Sequence, residues 1–499
     1  MAESPTEGAA LSADAEQLAA LGYSTTFNRE MTLWENFSLG FTYLSPVVGI
    51  YSLFAIALAA GGPPMIWWLV IVGFGQLLVA LVFSEVVSQF PIAGGVYPWA
   101  RRLWGKKWAW MAGWVYAWAL LATIASVAYG AGPFVAGLFG FEPTQDTTII
   151  IALVIILAVT IVNLQGTHVL GRVAMFGFIA EIAGALVVGA VLLISHREQS
   201  WGVVFDNFGL VNESGSYLPA FIGASLIGLF QYYGFEACGD VAEEIANPGR
   251  QIPKAMRMTI YIGGAAAIFV CYALILSVVD IGAVISGEEA DPIGTILAQA
   301  FGDFGSRVVL LVVLISFFSC ALSLQAAASR MIYSYGRDKM IFGSGILSKV
   351  TPGKHMPPAA LWLAAAVPAV LVLIDKFVQG GLVKIVSFAA LGIYIAFQMV
   401  VLAALRARVK GWKPGGTYTL GSWGMIVNVG ALAYGLFAIY LLAKPYDVPE
   451  WSFFDNWIVL LSALIIIVVG YLYMVIAKPY TRGEAAAGDA ISAGVSTKA

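Results

Sequence analysis

The strongest constraint on this chain is a series of long apolar stretches joined by short loops. Each stretch holds about 20 mainly apolar residues, the length that an α-helix needs to cross the hydrocarbon core of a bilayer. Twelve such stretches are centred near Ser45, Val79, Ala122, Val154, Gly184, Phe230, Ala267, Ile315, Ala366, Tyr394, Leu436 and Ile465. Charged residues make up only 11% of the chain, whereas a soluble domain carries about a quarter. The sequence therefore predicts an all-α membrane protein with twelve transmembrane helices.

The basic residues predict how the chain is oriented. If the N-terminus is cytoplasmic, most of the 26 Lys and Arg residues fall in cytoplasmic loops, as the positive-inside rule requires. An odd number of spans would scatter them over both faces. We expect a multi-pass protein of the plasma (inner) membrane with both termini in the cytoplasm, and we expect no cleavable signal peptide because the N-terminal residues are polar.

Two of the twelve spans contain residues that interrupt a helix. Span one carries Ser45-Pro46-Val47-Val48-Gly49, in which proline removes a backbone donor and glycine relaxes the backbone. Span six carries Tyr233-Gly234-Phe235-Glu236. The breaks lie five spans apart, and an odd separation inserts the second unit upside down, which is typical of transporters built from inverted repeats. The alternative is that Gly and Pro are simply common in membrane helices.

These positions predict the domain organisation. We expect a cytoplasmic tail over 1–35, a first five-helix repeat over 36–195, a second, inverted repeat over 215–406, helices 11 and 12 over 415–478, and a cytoplasmic tail over 479–499. The segments before about Asn28 and after Pro479 are polar or small, and we expect them to be disordered.

Glu236 is an ionisable residue inside an apolar span. Such residues are costly to desolvate and mark functional sites by default. Three roles are open: a gate that closes the outer path, direct contact with a substrate amine, or a structural hydrogen bond to a neighbouring helix.

Three motifs in order are similar to those of one permease family. Span two ends in Glu85-Val86-Val87-Ser88-Gln89-Phe90-Pro91-Ile92-Ala93-Gly94-Gly95-Val96-Tyr97; span six is followed by Glu243-Glu244, Asn247-Pro248 and Ile252-Pro253-Lys254-Ala255; span eight ends in Ser329-Arg330-Met331-Ile332-Tyr333, followed by Gly336-Arg337-Asp338. The chain resembles an amino acid–polyamine–organocation permease, and within that superfamily it looks closest to the amino acid/choline transporter branch.

The resemblance implies a leucine-transporter-like fold with a 5+5 inverted repeat and broken helices 1 and 6. It also implies a secondary transporter that moves an amino acid or a small amine, such as choline, ethanolamine or γ-aminobutyrate, by alternating access. Many family members carry two glycines in the first broken helix, where bare amides receive a substrate carboxylate. Only Gly49 is present here, which favours a substrate whose carboxylate is displaced or absent.

The candidate substrate-binding residues lie at the two breaks. They are Ser45, Val47, Val48, Gly49, Phe230, Tyr233, Gly234 and Glu236. The amides of Val47, Val48 and Gly49 could face an anion, as helix N-termini do. Aromatic faces attract amines through cation–π contacts of about 0.5–2 kcal/mol; of six nearby rings we favour Phe230 and Tyr233, and expect Tyr43, Tyr51, Tyr232 and Phe235 to pack.

Glu181 is the candidate for ion coupling. It lies mid-span five, in a segment that resembles the part of proton-coupled relatives where a lysine occupies the second sodium position. Desolvation favours the protonated form of a carboxyl group, so Glu181 could load and release a proton. The alternatives are that it ligates sodium or that no ion is coupled.

Charged residues at the cytoplasmic ends of spans two, six and eight form a candidate cytoplasmic gate: Glu85, Glu243, Glu244, Arg330 and Arg337.

The serines Ser316, Ser319 and Ser323 share one face of span eight. They could line the transport path or allow close helix packing.

Other function classes lack the residues they need. We find no paired catalytic set, metal-ligand spacing, cofactor or nucleotide-binding motif, and no basic domain for nucleic acid, so we expect no enzyme, metal or cofactor. A channel would need a continuous polar lining or carbonyl filter, and a transporter-like nutrient receptor usually bears a long signalling tail. The expected partners are the small-molecule substrate, a coupling proton and the bilayer, and the oligomeric state stays open.

Overall fold

The computed structural model describes residues 5–374, 376, 381–446 and 450–493. Within these residues, ten helices are long and apolar enough to cross a membrane, and two shorter apolar helices cover Leu218–Gln231 and Pro358–Ile374. The short helices lie at the sixth and ninth predicted spans. Each of the twelve predicted centres falls in or at the break of one of these helices, so the all-α fold is confirmed.

The helices are numbered in chain order. They are α1 (Pro5–Ala20), α2 (Leu33–Leu44), α3 (Pro46–Gly61), α4 (Trp67–Gln89), α5 (Val96–Leu103), α6 (Lys106–Gly130), α7 (Gly132–Phe139), α8 (Gln145–Asn163), α9 (Thr167–Ser195), α10 (Leu218–Gly223), α11 (Leu226–Gln231), α12 (Ala237–Asp240), α13 (Pro248–Met258), α14 (Gly264–Ser277), α15 (Ile281–Ser286), α16 (Pro292–Arg337), α17 (Ser344–Leu347), α18 (Pro358–Ile374), α19 (Gly381–Val409), α20 (Gly424–Leu442), α21 (Phe453–Asn456), α22 (Ile458–Ala477) and α23 (Ala490–Ala493).

The first break separates α2 from α3 at a single residue. Ser45 has φ 38° and ψ 95°, outside the helical region, and Pro46 is the first residue of α3. A proline at this position costs no hydrogen bond, because the first amides of a helix have no partner within it. The Ser45 side chain caps α3 by accepting from the Val48 amide at 3.1 Å.

The second break covers Tyr232–Glu236, between α11 and α12. Gly234 has φ +119°, and a Cβ atom there would lie 2.6 Å from the Leu44 nitrogen. Glycine is therefore required for the backbone angle and for close contact with α2. Both predicted interruptions are confirmed, and the two broken helices touch at their breaks.

Other helices surround this central contact. The helix α2 packs on α9, α13 and α16, and α3 packs on α11 and α14. Small residues allow close approach: a Cβ at Gly177 of α9 would lie 2.4 Å from the Ser319 side chain of α16. The result places α9 and α16 beside the breaks.

Both described ends of the chain pack on the same face of the molecule, which we call the terminal face. Tyr23 Oη donates to the Asp338 carboxylate at 3.2 Å, and Arg102 pairs with Asp489 at 2.9 Å. The two partners, Arg102 on α5 and Asp338 after α16, both follow membrane-spanning helices. This face is therefore covered by residues from both termini.

The expectation that the tails are disordered is wrong for their described parts. Leu18, Tyr23 and Phe27 are buried, and so is Ala490 near the other end. Their apolar side chains have a protein surface to cover, a fact that the polar composition of the tails does not reveal. Residues 1–4 and 494–499 lie outside the described residues, and the predicted domain boundaries stay predictions.

Candidate functional site

The first break is filled by a carboxylate from another helix. Glu181 Oε1, on α9, accepts hydrogen bonds from Ser45 Oγ at 2.7 Å and from the Val47 amide at 2.9 Å. Ser45 and Glu181 are fully buried. A negative group at a helix N-terminus meets both free amides and the positive end of the helix dipole. Glu181 therefore occupies the position at the start of α3 that suits an anion.

The other polar groups of the first break are also bonded within the protein. The Val48 amide donates to Ser45 Oγ at 3.1 Å, and the Gly49 amide donates to the Ser45 carbonyl at 3.1 Å. Gln231 Nε2 donates to the carbonyls of Leu44 and Ser45 at 3.2 and 3.4 Å. In this structure the amides of Val47, Val48 and Gly49 are engaged, and their contact with a substrate stays a prediction.

Glu236 stabilises the second break from within. Its Oε2 accepts from the Gly234 amide at 2.7 Å, and its Oε1 lies 3.4 Å from Tyr116 Oη of α6. The side chain is fully buried. Glu236 thus connects the broken helix to a helix outside it, a geometry compatible with a gate, an amine contact or a structural role.

Three site residues were missed by sequence reasoning. Asp240 Oδ2 accepts from Tyr116 Oη at 2.9 Å, and Gln231 bonds the first break as described above. Asp240 follows Glu236 by four residues, the spacing that puts two side chains on one helix face, so this spacing could have identified it. Tyr116 has no comparable signal, because it lies 120 residues from Glu236.

The aromatic residues divide into two groups. The rings of Phe230 and Tyr233 meet edge to face at 5.4 Å, and Tyr43 meets Tyr233 at 6.1 Å. These three rings lie where the breaks touch. Tyr51 contacts Phe134 at 6.0 Å.

The two other candidate rings pack between helices. Phe235 contacts Phe397 at 5.5 Å, and Tyr232 lies against Gly73 and Gly264. Their surroundings agree with packing, and the substrate contacts of Phe230 and Tyr233 stay predictions.

Two ion pairs join the segment after α12 to the end of α16. Arg330 donates from Nε to Glu244 Oε1 at 2.7 Å and from Nη2 to Oε2 at 3.0 Å, and both side chains are fully buried. Arg337 pairs with Glu243 at 2.9 Å. We call these two pairs the latch; its role in gating stays a prediction.

Glu85 pairs outside the set formed by the other four candidate gate residues. It pairs with Arg408 at the end of α19 and accepts from the Leu420 amide at 2.8 Å. The motif at the end of span two gives no information about this distant partner: Glu85 joins α4 to α19 and the loop before α20, and its role in a cytoplasmic gate stays a prediction.

The serines of α16 make contacts of close packing. Ser323 Oγ lies 2.8 Å from Thr42 Oγ1 of α2, and Ser319 Oγ donates to the Ile315 carbonyl at 2.9 Å. Ser316 likewise bonds its own helix, at the Val312 carbonyl. These contacts favour the packing interpretation over a polar path.

Comparisons with known proteins agree with this architecture. A family model described as amino acid permease matches residues 32–471. A putative amino acid/polyamine transporter of Macrophomina phaseolina is 27% identical over 424 residues, covering 81% of this chain and 92% of that protein. The amino-acid permease BAT1 of Arabidopsis thaliana is 26% identical over 464 residues, covering 87% and 89%. The crystal structure of a manganese transporter from Eremococcus coleocola shares the fold, with a TM-score of 0.59, 14% identity and coverage of 90% and 94%.

Proposed function

Since this chain belongs to the amino acid permease family, within the amino acid–polyamine–organocation superfamily, we propose that it is a secondary active transporter whose cycle is coupled to a proton on Glu181. The chain is a multi-pass membrane permease and not an enzyme. Its proposed location is the plasma membrane, with the terminal face in the cytoplasm, as the distribution of basic residues favours. The proposed substrate is an amino acid or small amine.

The contact of Glu181 with the first break is the observation that carries this proposal. One carboxylate oxygen, Oε1, accepts both hydrogen bonds from Ser45 and Val47, while Oε2 is buried and has no hydrogen-bond partner. A proton can therefore bind at Oε2 without displacing either donor. Protonation removes the negative charge at the start of α3 and weakens its attraction for the helix dipole.

This chemistry links proton binding to movement of a broken helix. The ionised Glu181 holds α3 against α9, and the neutral form releases part of that attraction. In an alternating-access cycle, the proton would thus change the relative stability of two arrangements of the first break. There are two alternatives: Glu181 ligates sodium, or transport occurs without a coupled ion. The experiment below separates both from proton coupling.

The occupied amides at the start of α3 bear on the substrate. A substrate carboxylate cannot reach the Val47 amide unless Glu181 moves, which favours an amine whose carboxylate is displaced or absent. Glu236 would receive the ammonium group, and the faces of Phe230 and Tyr233 would surround it. Choline, ethanolamine and γ-aminobutyrate have this chemistry.

The latch would keep the cytoplasmic path closed. The Arg330–Glu244 and Arg337–Glu243 pairs connect the chain after the second break to α16, so movement of that segment away from α16 must break them. We propose that they open when the substrate leaves toward the terminal face.

Uptake by purified protein in liposomes tests the proposal. Labelled choline, ethanolamine, γ-aminobutyrate, putrescine, alanine and an aromatic amino acid are each supplied with an inward proton gradient and, separately, with a sodium gradient. We expect accumulation of at least one compound driven by protons and lost in Glu181→Gln. Accumulation driven only by sodium, or only by a preloaded internal amine, would make the protein a sodium symporter or an exchanger and contradict the proton role.

A further inference from the structure

Asp240 and Glu236 share one hydroxyl group. Tyr116 Oη lies 2.9 Å from Asp240 Oδ2 and 3.4 Å from Glu236 Oε1. A phenol carries a single proton, so it can donate to only one of the two carboxylates at a time. All three side chains are fully buried. Two buried carboxylates therefore lie close together and share one hydroxyl donor.

No basic side chain neutralises this pair among the described residues. The buried arginines of the described residues are engaged elsewhere: Arg330 with Glu244, Arg101 with Asp338 and Arg102 with Asp489. Burying a carboxylate without a counter-ion is strongly unfavourable. The missing positive charge must come from a bound cation or from protons.

A second observation points to a ligand. Asp240 Oδ1 is buried and has no hydrogen-bond partner. It faces the backbone of the loop after α4, where a Cβ on Gly95 would lie only 2.4 Å away. Gly95 has φ +48°, and a side chain there would cover the free oxygen. Asp240 Oδ1 is therefore a buried carboxylate oxygen for which the described residues supply no donor.

The position of Asp240 connects the site to the latch. The Gly94 amide donates to the Asp240 carbonyl at 2.9 Å, and the neighbouring Ala93 amide donates to Glu243 Oε1 at 3.0 Å. Glu243 belongs to the latch. Asp240 therefore lies between the second break and the contacts that close the terminal face.

We propose that Asp240 is a second cation-binding carboxylate of the transport site and selects substrates that carry net positive charge. The ammonium group bound at Glu236 would pass to Asp240 as the latch opens, with the Tyr116 hydroxyl donating to whichever carboxylate is left. A substrate without net charge would depend on Glu236 alone. This inference rests on the proposed function, since it assigns a residue to the same transport site.

The test compares a cationic and a zwitterionic probe in three proteins. Uptake of putrescine and of alanine is measured in liposomes containing wild type, Asp240→Asn and Asp240→Glu. We expect Asp240→Asn to raise KM for putrescine by about tenfold or more, because a charged hydrogen bond becomes a neutral one, and to change KM for alanine less than threefold. Asp240→Glu should restore much of the putrescine affinity.

Several outcomes would overturn the proposal. They are an equal change for both probes in Asp240→Asn, no change for either, or a wild-type protein that transports alanine but not putrescine. A variant that alters only the response to a pH gradient would identify a proton site instead. Size-exclusion profiles and Tm values matched to wild type show that the isosteric Asn variant is folded. If the wild type moves no compound of the wider panel, the proposed function itself has failed.

Discussion

The two breaks supply hydrogen-bond acceptors for their free backbone amides in different ways. At the second break, the acceptor for the Gly234 amide is Glu236, two residues along the same segment. At the first break, the acceptor for the Val47 amide is Glu181, which comes from α9 and lies 134 residues away in the chain. A local acceptor moves with its helix, whereas a distant one holds two helices together. The first break is therefore the one whose geometry depends on the charge of a neighbouring helix.

The two breaks are in direct contact at Gly234 and Leu44. Gly234→Ala should disrupt this contact and have the largest effect on transport. The new Cβ would lie 2.6 Å from the Leu44 nitrogen, at a backbone φ of +119°. Backbone strain of this kind costs about 1–3 kcal/mol, and the clash adds to it. We expect nearly complete loss of uptake and a lower Tm.

Gly223→Ala is the matched control for that variant. A Cβ at Gly223 would meet only the Ala60 side chain, at an ordinary 3.7 Å, so uptake should stay near the wild-type value. Wild-type uptake by Gly234→Ala would show that the breaks need not touch.

Removing the charge of Glu236 at the second break should weaken substrate binding rather than proton coupling. The Glu236→Gln side chain still carries a carbonyl oxygen that can accept from the Gly234 amide, but it no longer attracts an ammonium group. Hydrogen bonds to charged groups contribute about 1.5–3 kcal/mol, so KM for a cationic substrate should rise by about ten- to a hundredfold. Substrate exchange and gradient-driven uptake should fall together. A variant that keeps exchange but loses only gradient-driven uptake would reverse the roles assigned to the two breaks.

The latch lies directly after the second break in the chain, and loss of its buried pair should also alter transport. Glu244→Gln leaves Arg330 buried without its partner, and such a loss costs about 3–5 kcal/mol in a fully buried pair. The cost falls on the closed terminal face, so we expect faster opening and weaker accumulation. Glu243→Gln should do less, since the Arg337 side chain is 14% exposed. Uptake rate and affinity both unchanged in Glu244→Gln would show that the pair is not a latch.

The smallest effect is expected from Ser45→Ala. It removes one of the two donors to Glu181 Oε1 and leaves the Val47 amide. A helix cap or hydrogen bond of this kind contributes about 1 kcal/mol. This corresponds to a change of about fivefold in the equilibrium constant for forming the α3–α9 contact. The external pH at which proton-driven uptake reaches half its maximal rate should shift. The rate of substrate exchange should stay near the wild-type value. The pH profile of uptake, with Ser52→Ala of α3 as control, measures this shift.

Local sequence patterns predicted the elements of this molecule but not the contacts between them. The apolar runs predicted the spans, and Pro46 and Gly234 predicted where two of them break, because these features act within a few residues. The partner of Glu181 could not be predicted, since periodicity does not say which helices are neighbours. For the same reason the pairing of Glu85 with Arg408 was missed.

The expectation that the tails are disordered illustrates a different limit. Composition alone indicates only whether a segment can form a hydrophobic core of its own. The N-terminal segment cannot form one. Phe27 is nevertheless buried against Tyr333, with ring centres 5.1 Å apart. The apolar surface that it covers belongs to the rest of the protein, which no local pattern reports.

Proton movement during transport is the most direct test of the role of Glu181. Liposomes containing wild type, Glu181→Gln or the exposed control Glu198→Gln are loaded with a pH-sensitive dye, and the transported compound identified in the uptake panel is added outside. We expect internal acidification with wild type and Glu198→Gln. We expect none with Glu181→Gln, because its neutral side chain cannot release a proton. This variant should still exchange internal for external substrate. Acidification by Glu181→Gln at the wild-type rate would contradict the account.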